Sequence, residues 1–103
     1  MSDPMRIRLQ SAGGLTTVKV LMSHEMESGQ RKDEDGKIVP IWNIQDVFAT
    51  LNGRVVMSSE WVGGVSKNPF LQFVLKGTKP GDKLSITWRD NKGDTRTDEA
   101  VVS

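Results

Sequence analysis

The sequence predicts an all-β fold, a sandwich or small barrel of six or seven short strands, and three observations carry that prediction. Apolar and polar residues alternate with period 2 over several short runs, as half-buried strands require. Ten glycines and four prolines punctuate the 103 residues, which leaves little room for long helices. Pairs suited to tight turns, Asn52-Gly53 above all, separate the alternating runs.

The strands follow in order. Met5–Gln10 places Met5, Ile7 and Leu9 on one face and Arg6, Arg8 and Gln10 on the other. Leu15–Met22 sends Val18, Val20 and Met22 one way and Thr17 and Lys19 the other. Ile44, Val47, Phe48 and Leu51 carry a helical spacing. The Asn52-Gly53 pair argues instead for a hairpin, with Phe48 opposite Met57 and Ile44 opposite Trp61. Leu71, Phe73 and Leu75 form a further strand, entered through Pro69 and closed at Gly77. Gly63-Gly64 reads as a flexible connection before it. Leu84, Ile86 and Trp88 against Ser85, Thr87 and Arg89 make the clearest strand, Lys83–Asp90. Asn91-Lys92-Gly93 turns it into a last strand around Thr95–Val101, and Asp35-Gly36 within Arg31–Lys37 is a third turn.

Length and composition bound the function. A chain of 11.4 kDa forms one domain over residues 1–103, burying about two thirds of its extended surface, so it needs neither disulfide nor metal staples. The absence of cysteine removes thiol catalysis, iron–sulfur ligation and thiolate zinc sites. One histidine removes every site built on two imidazoles. Fourteen basic and thirteen acidic side chains give a net charge of +1, so no nucleic-acid footprint is present. Trp42, Trp61 and Trp88 are therefore read as core or interface residues rather than base-stacking platforms. The first fifteen residues alternate like a strand and lack the apolar run of a secretory signal; no run is long enough for a membrane span.

Met22-Ser23-His24-Glu25-Met26 is the most distinctive local spacing. On extended backbone Met22, His24 and Met26 share a side, a soft set of the type that holds Cu(I); the plainer reading is a packed strand end. No serine frame makes His24 a general base, and Asp33, Asp35 and Gly36 lack the rest of a calcium loop. No catalytic residue, metal or cofactor is assigned.

Taken together, the motifs resemble a known family. The stretch from Met22 to Asp33 (MSHEMESGQRKD) resembles the hallmark segment of the SoxZ family. Ser66-Lys67-Asn68-Pro69-Phe70-Leu71 resembles a second signature, and Asp90-Asn91-Lys92-Gly93-Asp94 with Arg96-Thr97-Asp98-Glu99 a third. The opening Asp3-Pro4-Met5-Arg6-Ile7-Arg8 fits as well. The resemblance implies an immunoglobulin-like sandwich of about seven strands and a non-catalytic role in the Sox pathway of thiosulfate oxidation. It implies a heterodimer with SoxY, whose C-terminal-arm cysteine carries the sulfur, and through SoxY encounters with SoxAX, SoxB and, in some organisms, SoxCD. It also implies the periplasm, reached by co-export with the partner. A chain without a thiol cannot itself bear the sulfur. It is expected to hold a partner through an apolar patch, with Met22, His24, Met26, Lys67, Asn68 and Phe70 as interface candidates. An immunoglobulin-like protein-binding module unrelated to sulfur transfer is the alternative, and self-association of the isolated chain stays open.

Overall fold

A computed structural model describes residues 3–61 and 65–103. Its strands are β1 (Arg6–Ala12), β2 (Leu15–Leu21), β3 (Ile44–Leu51), β4 (Arg54–Glu60), β5 (Phe70–Lys76), β6 (Lys83–Asp90) and β7 (Thr95–Val101). All pairings are antiparallel, in two sheets ordered β1-β2-β5 and β4-β3-β6-β7. No helix is present among the described residues. The Gly63-Gly64 connection lies outside them.

This is an immunoglobulin-like sandwich, with three strands facing four. In the constant-type antibody arrangement the fourth strand joins the first sheet; here it lies beside β3. The reason is local. Asn52 and Gly53 have φ of 51° and 86°, which suits a two-residue hairpin turn. The chain therefore returns at once against β3, with Leu51 opposite Arg54. The Asn52 side chain fixes this turn to the start of β6. Its Nδ2 donates to Asp82 Oδ1 at 3.0 Å and its Oδ1 accepts the Lys83 N–H at 2.9 Å.

The hairpin reading holds, but its register does not. The β3–β4 ladder slips between Ala49 and Thr50, so Phe48 faces Ser58 and Ala49 faces Met57. The expected pairs, Phe48 with Met57 and Ile44 with Trp61, are not formed; Trp61 donates its N–H to the Gln45 carbonyl. A β-bulge, one extra residue in one strand, explains the offset. A second slip, between Ile44 and Asp46 against β6, explains the helix-like stripe. Ile44 and Val47 are three residues apart, which strict alternation would put on opposite faces. The inserted residue returns both to the core, where each is fully buried.

Between the sheets, Val18 and Val20 of β2 meet Ile44, Val47 and Ala49 of β3 and Leu84, Ile86 and Trp88 of β6. Each large side chain contributes roughly 1.5–3 kcal/mol through burial. One edge is closed by a polar clasp: the Met5 N–H donates to Asp98 Oδ2 at 2.9 Å, tying the first sheet to β7. Arg96 grips the same carboxylate from both oxygens. The molecule measures 53 × 22 × 21 Å and exposes 6731 Å², against roughly 5,800 Å² expected at this mass. Strands of seven or eight residues, about 25 Å long, do not span the 53 Å axis; the excursion between β2 and β3, exposed from Gln30 to Ile38, adds surface beyond the sandwich.

Candidate functional site

Two inward-facing rows run along the core and end at polar residues that meet. From β2 the row runs through Val18 and Val20 and, past the strand's end, Met22 and His24; on β6 it is Leu84, Ile86, Trp88 and then Asp90, all of them buried. Period 2 carries each row one step beyond its last apolar member. His24 Nε2 lies 3.0 Å from Asp90 Oδ2, with neither side chain more than 2% exposed.

The hydrogen-bond pattern fixes the roles. The Met26 N–H donates to His24 Nδ1 at 3.0 Å, so Nδ1 is the acceptor and Nε2 carries the proton given to Asp90. Trp42 Nε1 donates to the same Asp90 oxygen at 2.8 Å. The other oxygen accepts the Lys92 and Asp94 N–H groups at 3.0 and 2.9 Å. Burial pushes the Asp90 carboxyl up, but the donors from His24, Trp42, Asp94 and Lys92 outweigh it and hold the group below its ordinary 3.8. The His24 ring packs edge-on against Trp42 and Trp88, each at 5.1 Å between centroids, and Lys92 Nζ lies 4.1 Å from the Trp42 ring.

Local backbone builds this arrangement. Met26 adopts φ 51°, a conformation costing a non-glycine residue roughly 1 kcal/mol or more. Two bonds offset that cost: its N–H reaches His24, and its sulfur accepts the Ile44 N–H at 3.4 Å. The chain then turns so that Glu27 bridges Trp42, which delivers the indole to Asp90.

Chemically, the cluster is a clamp. A catalytic imidazole in a triad needs one nitrogen facing a nucleophile while the other is oriented by a carboxylate. Here the second nitrogen is occupied by backbone. The same two bonds leave neither nitrogen open to the soft-metal arrangement that Met22, His24 and Met26 suggest on paper. No group of three or more His, Cys, Asp or Glu side chains that could hold an ion occurs among the described residues. A cleft of about 250 Å³ adjoins the cluster, lined in part by Ser23, Glu25 and Asn68.

The six candidate residues come together in space. Asn68 donates its N–H to the His24 carbonyl and accepts the His24 N–H on its side chain, at 2.8 and 3.1 Å. The Met22 N–H donates to the Pro69 carbonyl at 2.9 Å, and Lys67 pairs with Glu25 at 3.3 Å. They divide into two layers, however. Met22, His24 and Met26 are buried within the chain, at 1%, 6% and 8% exposure, while Phe70 is 59% exposed and Lys67 and Asn68 are also exposed. The inward row of β2 continues through residues 22 and 24, which is why the methionines join the core. Sequence reasoning overlooked Trp42 and Asp90 as their companions. Extending the Leu84–Trp88 alternation by one step would have found Asp90; only the fold brings Trp42 in.

The family model for the sulphur oxidation protein SoxZ matches residues 5–101. Among individually curated proteins, none matches the chain.

Proposed function

The chain belongs to the SoxZ family of sulphur oxidation proteins, and from that premise we propose that it is the non-catalytic subunit of a SoxYZ sulfur carrier. In this reading SoxY bears the sulfur on its C-terminal-arm cysteine, and the present chain holds SoxY and accompanies it to SoxAX, SoxB and, in some organisms, SoxCD. The observation that carries the proposal is chemical. The chain has no thiol and a single imidazole, and that imidazole has both nitrogens engaged inside the fold. Covalent sulfur transfer therefore falls to a partner. Lys67, Asn68 and Phe70 are the outer candidates for contact, and Met22, His24 and Met26 act from beneath by fixing the loop that presents them. The proposal places the complex in the periplasm, reached by export with the partner.

The test is affinity capture of the tagged chain from periplasmic extract, followed by intact-mass measurement. The expected result is a small partner in one-to-one ratio, with a C-terminal-arm cysteine that gains mass during thiosulfate oxidation. Recovery of the chain alone, or with a partner lacking a thiol, overturns the proposal.

A further inference from the structure

The outer face of the three-stranded sheet has a composition unlike the rest of the surface. Pairing across the sheet sets four outward rows: Arg6–Leu21–Phe70, Arg8–Lys19–Gln72, Gln10–Thr17–Val74 and Ala12–Leu15–Lys76. The face carries four cations and no carboxylate. None of Arg6, Arg8, Lys19 and Lys76 forms an ion pair among the described residues. Arg8 and Lys19 sit directly opposite one another, a like-charge pair that works against the sheet. Leu21 and Phe70, 41% and 59% exposed, flank a depression of about 240 Å³ whose other walls are Arg6, Arg8 and Lys19.

The opposite outer face differs. On the four-stranded sheet Lys83 pairs with Glu99 at 2.9 Å, Ser85 donates to Glu99, and Thr87 bonds Thr97 at 2.8 Å. These polar groups answer one another, although Asp46 and Glu60 face each other across β3 and β4 as a like-charge pair. In a chain of net charge +1, four unanswered cations gathered on one sheet face are a marked asymmetry.

We infer that this face is the docking surface for the partner subunit, and that the partner presents carboxylates around an apolar side chain that enters the depression between Leu21 and Phe70. The inference rests on the carrier reading above and adds which face is used and what chemistry meets it. Charge complementarity selects the occupant: carboxylates would relieve the Arg8–Lys19 repulsion, and the apolar walls exclude water from the contacts they flank. Phe70 makes the face continuous with the Lys67–Phe70 strip. A nucleic acid would require stacking platforms, and Phe70 is the one aromatic here.

The experiment measures the dissociation constant of the purified heterodimer for the wild-type chain, Lys19→Glu on this face, and Glu60→Lys on the edge of the other sheet. Lys19→Glu sets a carboxylate across from Arg8, which keeps the strand pairing favourable, and its thermal midpoint confirms folding. The expected result is a loss of about tenfold or more for Lys19→Glu, a wild-type affinity that falls with added salt, and no change for Glu60→Lys. A complex that forms but is indifferent to Lys19→Glu overturns this inference and leaves the carrier reading standing. No complex with any variant overturns both. Binding of the wild-type chain to anionic vesicles or single-stranded DNA that Lys19→Glu abolishes, with partner affinity unchanged, assigns the face elsewhere and overturns it too.

Discussion

The end of the core and the outer face of the three-stranded sheet handle charge in opposite ways. Around Asp90 every acceptor position is filled by a donor from the same chain: His24, Trp42, Lys92 and Asp94. Around Arg8 and Lys19, on the outer face of the other sheet, two cations are left facing each other. The first pattern stabilises a monomer. The second weakens it slightly, and the docking proposed above would relieve it. The difference teaches where to look for an interaction surface in this chain: at charges the fold does not answer, rather than at the most conspicuous polar cluster.

The strongest way to break this comparison is Asp90→Ala. It removes the acceptor for four donors in a buried setting, and we expect a loss of about 3–5 kcal/mol in unfolding free energy, read from urea denaturation. A loss below about 1 kcal/mol would mean that the cluster is not the clamp described.

Acid sharpens it next. The Arg96 bond, with help from the Met5 N–H and against the effect of burial, holds the Asp98 carboxyl below its ordinary 3.8; Asp90 is depressed as well. A carboxylate whose folded value is depressed contributes stability that is complete above the unfolded value and is lost as pH falls through the folded one. The urea midpoint of the wild-type chain is therefore expected to hold from pH 7 to about 5 and to drop below about 4. Asp98→Asn, costing about 1 kcal/mol at neutral pH, should converge on the wild type in acid. A constant gap across that range would contradict the linkage.

The smallest effect has the opposite sign. Lys19→Thr removes the repulsion facing Arg8 and introduces a good strand former, so the isolated chain is expected to melt roughly 1–3 °C higher while binding its partner less well. A lower midpoint in differential scanning calorimetry would show that the pair is not strained.

Much of this was legible in the residues. The strand order along the chain, the inward rows of β2 and β6 and the three turns all follow from alternation and turn chemistry. What alternation misses is any place where it breaks. The bulges beside Ile44 and Ala49 turned a strand into an apparent helix stripe and shifted a hairpin by one residue, because an extra residue leaves no mark except a wrong period. The histidine motif was conspicuous but its layer was not: Met22 reads equally well as core or patch until the opposing β6 row is known. Asp90 was present in the pattern as the next inward position after Trp88. Trp42 was not, since only a long-range bridge with Glu27 places it.

The pinned amide of Asn52 has a consequence for the chemical ageing of the molecule. An asparagine before glycine loses ammonia readily, because the unhindered glycine nitrogen attacks the side-chain carbonyl to close a succinimide ring. In the folded chain that carbonyl accepts the Lys83 N–H, and the departing nitrogen is held by Asp82, so the ring closure requires the turn to undock first. Once the amide has been lost, the new carboxylate sits where a donor to Asp82 had been, and two acids meet at a place built for one. The acidic form of the protein would then accumulate in proportion to time spent with the β3–β4 turn detached from β6, a slow internal clock of local opening.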